Sequence, residues 1–96
     1  MRQYHERSTE ERQRLIESTM AMIREAATER QIIMSADMRV SERDAASLIG
    51  YTNANSLKNL RQAGQGPVFY HRPVNGSRVS YRLMDLAMWV EERREL

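Results

Sequence analysis

The sequence predicts a small α+β domain, mostly helical, and three observations carry that reading. Its 96 residues suit one domain with a modest core. Ser41–Gly64 holds two short helical patterns, each closed by a glycine. Residues 68–82 form two strand-like runs around Asn75-Gly76, the strongest short-range hairpin signal. Two short helices across a glycine turn, followed by a hairpin, make a winged helix-turn-helix with a two-stranded β-hairpin wing. A further helix is added at the N-terminus.

Residues 1–8 read as a flexible polar tail. Its last residue, Ser8, opens a capping box with Glu11. The pattern is then helical from Thr9 to about Ala27, in an N-terminal unit spanning residues 9–34. Leu15, Ile16, Thr19, Met20, Ile23, Ala26 and Ala27 form its apolar stripe, with Met22 beside it. The stripe must be covered, either by the core of the same chain or by a second copy. Gln31-Ile32-Ile33-Met34 fits a continued helix or a strand. Ser35-Ala36-Asp37 reads as a turn, and Met38-Arg39-Val40 as a short strand entering the DNA-binding unit, residues 38–96.

Ser41 caps the next helix, with Asp44 three residues on. Ala45, Ala46, Leu48 and Ile49 supply its buried side, and Gly50 stops it. Thr52 or Asn53 caps the following helix, which runs to Ala63 before Gly64. Ala54, Leu57, Leu60 and Ala63 fall on or near its inner face. Its outer face carries Thr52, Asn55, Asn59 and Gln62, flanked by Ser56 and Lys58, and no acid. A merely solvated helix face usually pairs Glu with Lys. Asn and Gln can each make two hydrogen bonds to an adenine edge. A helix of this span is about 16 Å long and fits a major groove about 12 Å wide.

Val68–Arg72 and Arg78–Arg82 are the expected hairpin strands. Val79 and Tyr81 alternate inward, with Arg78, Ser80 and Arg82 outward. Arg72 and Arg78 beside the Asn75-Gly76 tip suit a wing that touches DNA backbone or the minor groove. The closing helix runs from Leu83 to about Arg94, with Leu86, Trp89 and Val90 on its core face.

The net charge of +2 hides an asymmetry. Residues 41–83 carry six basic and two acidic residues, whereas 1–40 balance and 84–96 are acidic. Between Ala45 and Met84 there is no acid, while Lys58, Arg61, Arg72, Arg78 and Arg82 all lie there. That is the electrostatic footprint of a polyanion partner. No cysteine is present, which removes disulfides and thiolate metal sites. His5 and His71 are isolated, without ligand spacing. Gly64-Gln65-Gly66 lacks the Lys-Ser/Thr of a phosphate-binding loop. No catalytic constellation is present, so neither enzyme activity, cofactor nor metal is expected. No apolar run could span a membrane or serve as a signal core, and a cytoplasmic protein is the simplest reading.

The segments Ser-Glu-Arg-Asp-Ala-Ala-Ser-Leu-Ile-Gly-Tyr (41–51), Asn-Ser-Leu-Lys-Asn-Leu-Arg-Gln-Ala-Gly (55–64), Gly66-Pro67, Arg78–Arg82 and Met84–Val90 carry a family likeness in their order and spacing. Together they make residues 41–94 resemble the MerR-type winged-helix domain of phage and plasmid excisionases and AlpA-like regulators. The resemblance implies a reading helix at Asn53–Ala63 and a wing at Arg72–Arg78. It also implies a role in bending DNA at attachment sites or in regulating transcription, with several copies bound. Two features depart from the family. About forty residues precede the first helix, which suggests a dimerisation or partner element. The reading helix has Asn and Ser where the family often has Arg.

The expected function is therefore sequence-specific binding of double-stranded DNA, as an excisionase-like directionality factor or a transcription regulator of a mobile element. Asn55, Ser56 and Asn59 are the expected base readers. Thr52, Lys58, Arg72, Arg78 and Arg82 take phosphates or the minor groove. Asn53, Arg61 and Gln62 on the helix and Asn75 and Ser77 in the turn complete the contact. About four phosphates neutralised per monomer would give a log–log salt slope near −3.6. The expected partners are DNA, a second copy as homodimer or cooperative multimer, and an integrase or other protein. The rival function is a protein-interaction or adaptor module that docks a partner on the N-terminal helix.

Overall fold

The structure, a computed structural model, describes residues 8–95; residues 1–7 of the expected 1–8 tail, with His5, lie outside them. Among the described residues the fold is α+β and about half helical. Its elements are α1 (Thr9–Glu29), β1 (Arg39–Ser41), α2 (Glu42–Leu48), α3 (Ser56–Gln62), β2 (Ser80–Arg82) and α4 (Leu83–Glu92).

Local chemistry sets most helix ends. Ser8 Oγ accepts the Glu11 N–H at 3.0 Å and starts α1, and Ser41 Oγ accepts the Asp44 N–H at 3.1 Å and starts α2. Three helices end in the same paired closure. After α2, Gly50 N–H bonds Ser47 C=O and Tyr51 N–H bonds Ala46 C=O, with Gly50 at φ 103°. After α3, Gly64 and Gln65 repeat the pattern onto Arg61 and Leu60, with Gly64 at φ 71°. These are Schellman motifs, which need a left-handed residue just past the helix. The third closes α1, where Gln31 takes φ 56° and Ile32 N–H bonds Ala27 C=O at 2.9 Å. Gln31–Met34 is thus neither a continued helix nor a strand. A left-handed glutamine carries a steric penalty that glycine does not.

α1 lies along α4 within the one chain. Ile16 and Ile23 join the cluster that contains Val40, Leu57, Tyr81 and Leu86. Each such burial contributes about 1.5–3 kcal/mol. Ala27 and Ala87, both fully buried, are small enough for close packing. The Thr19 hydroxyl donates to Glu91 Oε2 at 2.7 Å. Core packing covers much of the α1 stripe, but Met22 stays 61% exposed.

β1 and β2 pair antiparallel, with Arg39 opposite Arg82, Val40 opposite Tyr81 and Ser41 opposite Ser80. The expected hairpin therefore differs from the observed sheet. Val68–Arg72 is not a strand; it meets the return segment at one bridge, Tyr70 to Ser80, and a second bridge, Val74 to Ser77, closes the turn beyond it. Pro67 and Pro73 flank this segment and donate no ladder bonds. The turn itself forms as predicted. Asn75 and Gly76 have φ of 49° and 81°, as a two-residue type I′ turn requires, and Val74 and Ser77 exchange two 3.0 Å hydrogen bonds.

Two expected burials are corrected. Ser80, expected outward, is fully buried because its hydroxyl bonds the Arg72 carbonyl at 2.7 Å and accepts from Arg39 Nη1 at 2.8 Å. Trp89, expected in the core, is only half-buried, with the Arg93 guanidinium stacked 3.9 Å from its ring centre. Leu83, Leu86 and Ala87 form the inner face of α4 instead.

Candidate nucleic-acid interface

α3 is shorter than its sequence pattern. It begins at Ser56 rather than after Thr52 or Asn53, and its 7 residues span about 10 Å. The cause is a local turn: Asn53 Oδ1 accepts the Asn55 N–H at 2.8 Å. Asn53 is thereby occupied within its own loop. Asn55 takes the N-cap position without using its side chain as a cap. Leu57 is fully buried and Leu60 half-buried, but Ala54 and Ala63 are exposed, so the inner face is narrower than expected.

The outer face matches the sequence pattern. Thr52, Asn55, Lys58, Asn59 and Gln62 are exposed, and Ser56 is half-buried at the edge. Asn55, Asn59 and Gln62 follow at i, i+4 and i+7, which stacks them on one side of the helix. Lys58 forms no salt bridge among the described residues and acts on the Glu42 carboxylate only through its charge, at longer range.

Two arginines assigned to this surface from sequence are held elsewhere. Arg61 donates from Nε and Nη2 to Glu42 at 2.8 and 3.1 Å. Tyr81 OH donates to the same carboxylate at 2.7 Å. Burial pushes the Glu42 carboxyl up, but hydrogen bonds from Arg61 and Tyr81 outweigh it and leave the group below its ordinary value. Burial, reinforced by the adjacent Glu42 carboxylate, raises the Tyr81 phenol well above its ordinary value. Arg82 donates to Asp37 at 2.9 Å and lies 5.0 Å from the Tyr70 ring centre. Hydrogen bonds from Ser35, Arg39 and Arg82, in that order, hold Asp37 well below the carboxylate range.

The 70–80 turn is anchored to this group. Ser77 Oγ donates to the Val79 carbonyl at 2.6 Å and accepts the Glu42 N–H at 3.5 Å, so its hydroxyl serves the loop. Ser80 and Arg39 both bond the Arg72 carbonyl, which fixes the Arg72 backbone and leaves its side chain exposed. Asn75 and Arg78 are exposed, and neither Arg72 nor Arg78 has an acidic partner among the described residues. Glu42 thus links the last turn of α3, through Arg61, to the base of the Asn75-Gly76 turn, through Ser77.

Sequence reasoning missed a cleft at the other end of α3. Arg43, Ser47, Tyr51, Thr52 and Ala54 line about 430 Å³ between α2 and the residues leading into α3. Its sequence signal is Arg43 and Ser47 at i and i+4 on the outer side of α2, followed by tyrosine directly after Gly50. Among the described residues no group of three or more His, Cys, Asp or Glu is arranged to hold a metal. None of the described helices is long and apolar enough to cross a membrane. Comparison with protein-family models, curated proteins and solved structures finds no match for this chain.

Proposed function

We propose that this protein is a winged helix-turn-helix that binds double-stranded DNA in a sequence-specific way. α2 and α3 are the helix pair, α3 enters the major groove, and the 70–80 hairpin is the wing. It acts in the cytoplasm as an excisionase-like directionality factor or a transcription regulator of a mobile element, as a homodimer or cooperative multimer, with an integrase as a further partner. The carrying observation is the exposed, acid-free row of Asn55, Lys58, Asn59 and Gln62. Asn55 and Asn59 keep their amides available for base edges. Lys58, Arg72 and Arg78 supply phosphate contacts. Arg61 and Arg82 drop out of the contact set because each is bound to a carboxylate.

Selection of bound duplexes from a random pool, followed by mobility-shift titration, tests the reading. A recovered consensus is expected. Lys58, Arg72 and Arg78 alone account for a log–log salt slope of about −2.7, to which any further phosphate contact adds. Absence of binding to every duplex, or binding indifferent to salt, would overturn the assignment.

One observation favours a second reading, a protein-interaction module. Met22, 61% exposed, borders an apolar cleft formed with Ile23, Ala26, Leu48, Ile49 and Val90. Retention of a protein partner after Met22→Glu would count against that reading.

A further inference from the structure

We infer that the Arg43–Ser47–Tyr51–Thr52 cleft binds a backbone phosphate of the duplex, so that contacts flank α3 at both ends. The inference rests on the DNA-binding reading above. The residues lining the cleft include one cation and three hydroxyls, and no acid. Arg43 is exposed, with no acidic partner among the described residues. Its guanidinium therefore keeps its forked donors for an anion.

Ser47 is prepared for the same role. Arg30 Nη1 donates to Ser47 Oγ at 3.1 Å, which occupies an acceptor position and leaves the serine hydrogen to donate. That bond also brings a second guanidinium to the rim of the cleft. Tyr51, 36% exposed although its backbone N–H completes the tight α2 closure, adds a phenolic donor. Thr52 adjoins the polar face of α3 directly. A phosphate held here lies at the entry to α3, whereas the wing is tied through Glu42 to its last turn. Gripping the backbone at both ends fixes the helix in register without reading sequence.

The test compares wild type, Arg43→Ala and Arg43→Lys on one random-sequence duplex by fluorescence anisotropy between 50 and 200 mM salt. Wild type should show a slope of about −3.6, one contact more than Lys58, Arg72 and Arg78 provide. Arg43→Ala should flatten it by about 0.9, so that its affinity falls about 3.5-fold less across that range. Arg43→Lys should restore the slope, because it keeps the charge at an exposed position. Unchanged slope and affinity in Arg43→Ala would overturn the phosphate site while leaving DNA binding intact. Wild type failing to bind any duplex would overturn both readings.

Discussion

Asp37 and Glu42 stand on either side of β1, and each holds an arginine that the charge pattern had assigned to DNA. The chemistry is the same, but the surroundings differ. The Asp37 side chain is 43% exposed and its partners, Ser35, Arg39 and Arg82, cluster on the adjoining turn and sheet. The Glu42 side chain is 13% exposed, and its partners come from α3 and β2. Water screens the first group, which trims one edge of the sheet. The second is partly withdrawn from water and ties α3 to α2 and β2, beside the buried Leu57. An ion pair's structural weight thus follows from what it joins and what covers it.

The largest effect should come from Glu42→Ala. It leaves the half-buried Arg61 and the buried Tyr81 without their acceptor, at a cost of about 2–4 kcal/mol measured by urea unfolding. On the proposed DNA-binding reading, duplex affinity should fall with it, since α3 loses its tie to the 70–80 turn. A loss below about 0.5 kcal/mol would put Glu42 in the same class as an exposed pair. Tyr81→Phe removes one of three bonds to that carboxylate and should cost about 1 kcal/mol by the same measurement.

Acid separates the sites further. Glu42 lies below its ordinary 4.5 in the folded chain, so the unfolded chain takes up the proton first. Its contribution is complete above that value and disappears as pH falls through the lower, folded one. Glu42→Gln should flatten this part of the stability profile below about pH 5, and an unaltered profile would assign the acid sensitivity elsewhere. Asp37→Asn is expected to give the smallest stability change, shrinking further in high salt. It should also raise non-specific duplex affinity slightly at low salt, by releasing Arg82 and removing a negative charge. Weaker binding in Asp37→Asn would show that Arg82 acts only where Asp37 holds it.

Local signals were the legible ones. Ser8, Ser41, Gly50, Gly64 and Asn75-Gly76 act within a few residues of themselves, and each does in the structure what its pattern predicts. The polar row on α3 was legible for the same reason, because helical spacing alone aligns it. Gln31 was not, since nothing in its chemistry favours a left-handed turn over its alternatives. Arg61 and Arg82 were illegible as charges: their partners lie 19 and 45 residues away, and charge counting has no access to such pairings. The strand over Val68–Arg72 was overcalled because β-propensity measures fit to a neighbour. Here 68–72 meets the free edge of β2 only at Tyr70–Ser80, between two prolines that donate no ladder bonds.

The Glu42 carboxylate serves an arginine and a phenol together, so positions 42, 61 and 81 are coupled. Removing the acid from a chain that has already lost both donors should do far less harm than removing it first, and a triple replacement by well-packed apolar groups should fold. In any sibling sequence with this architecture, the three positions should covary, changing together or not at all.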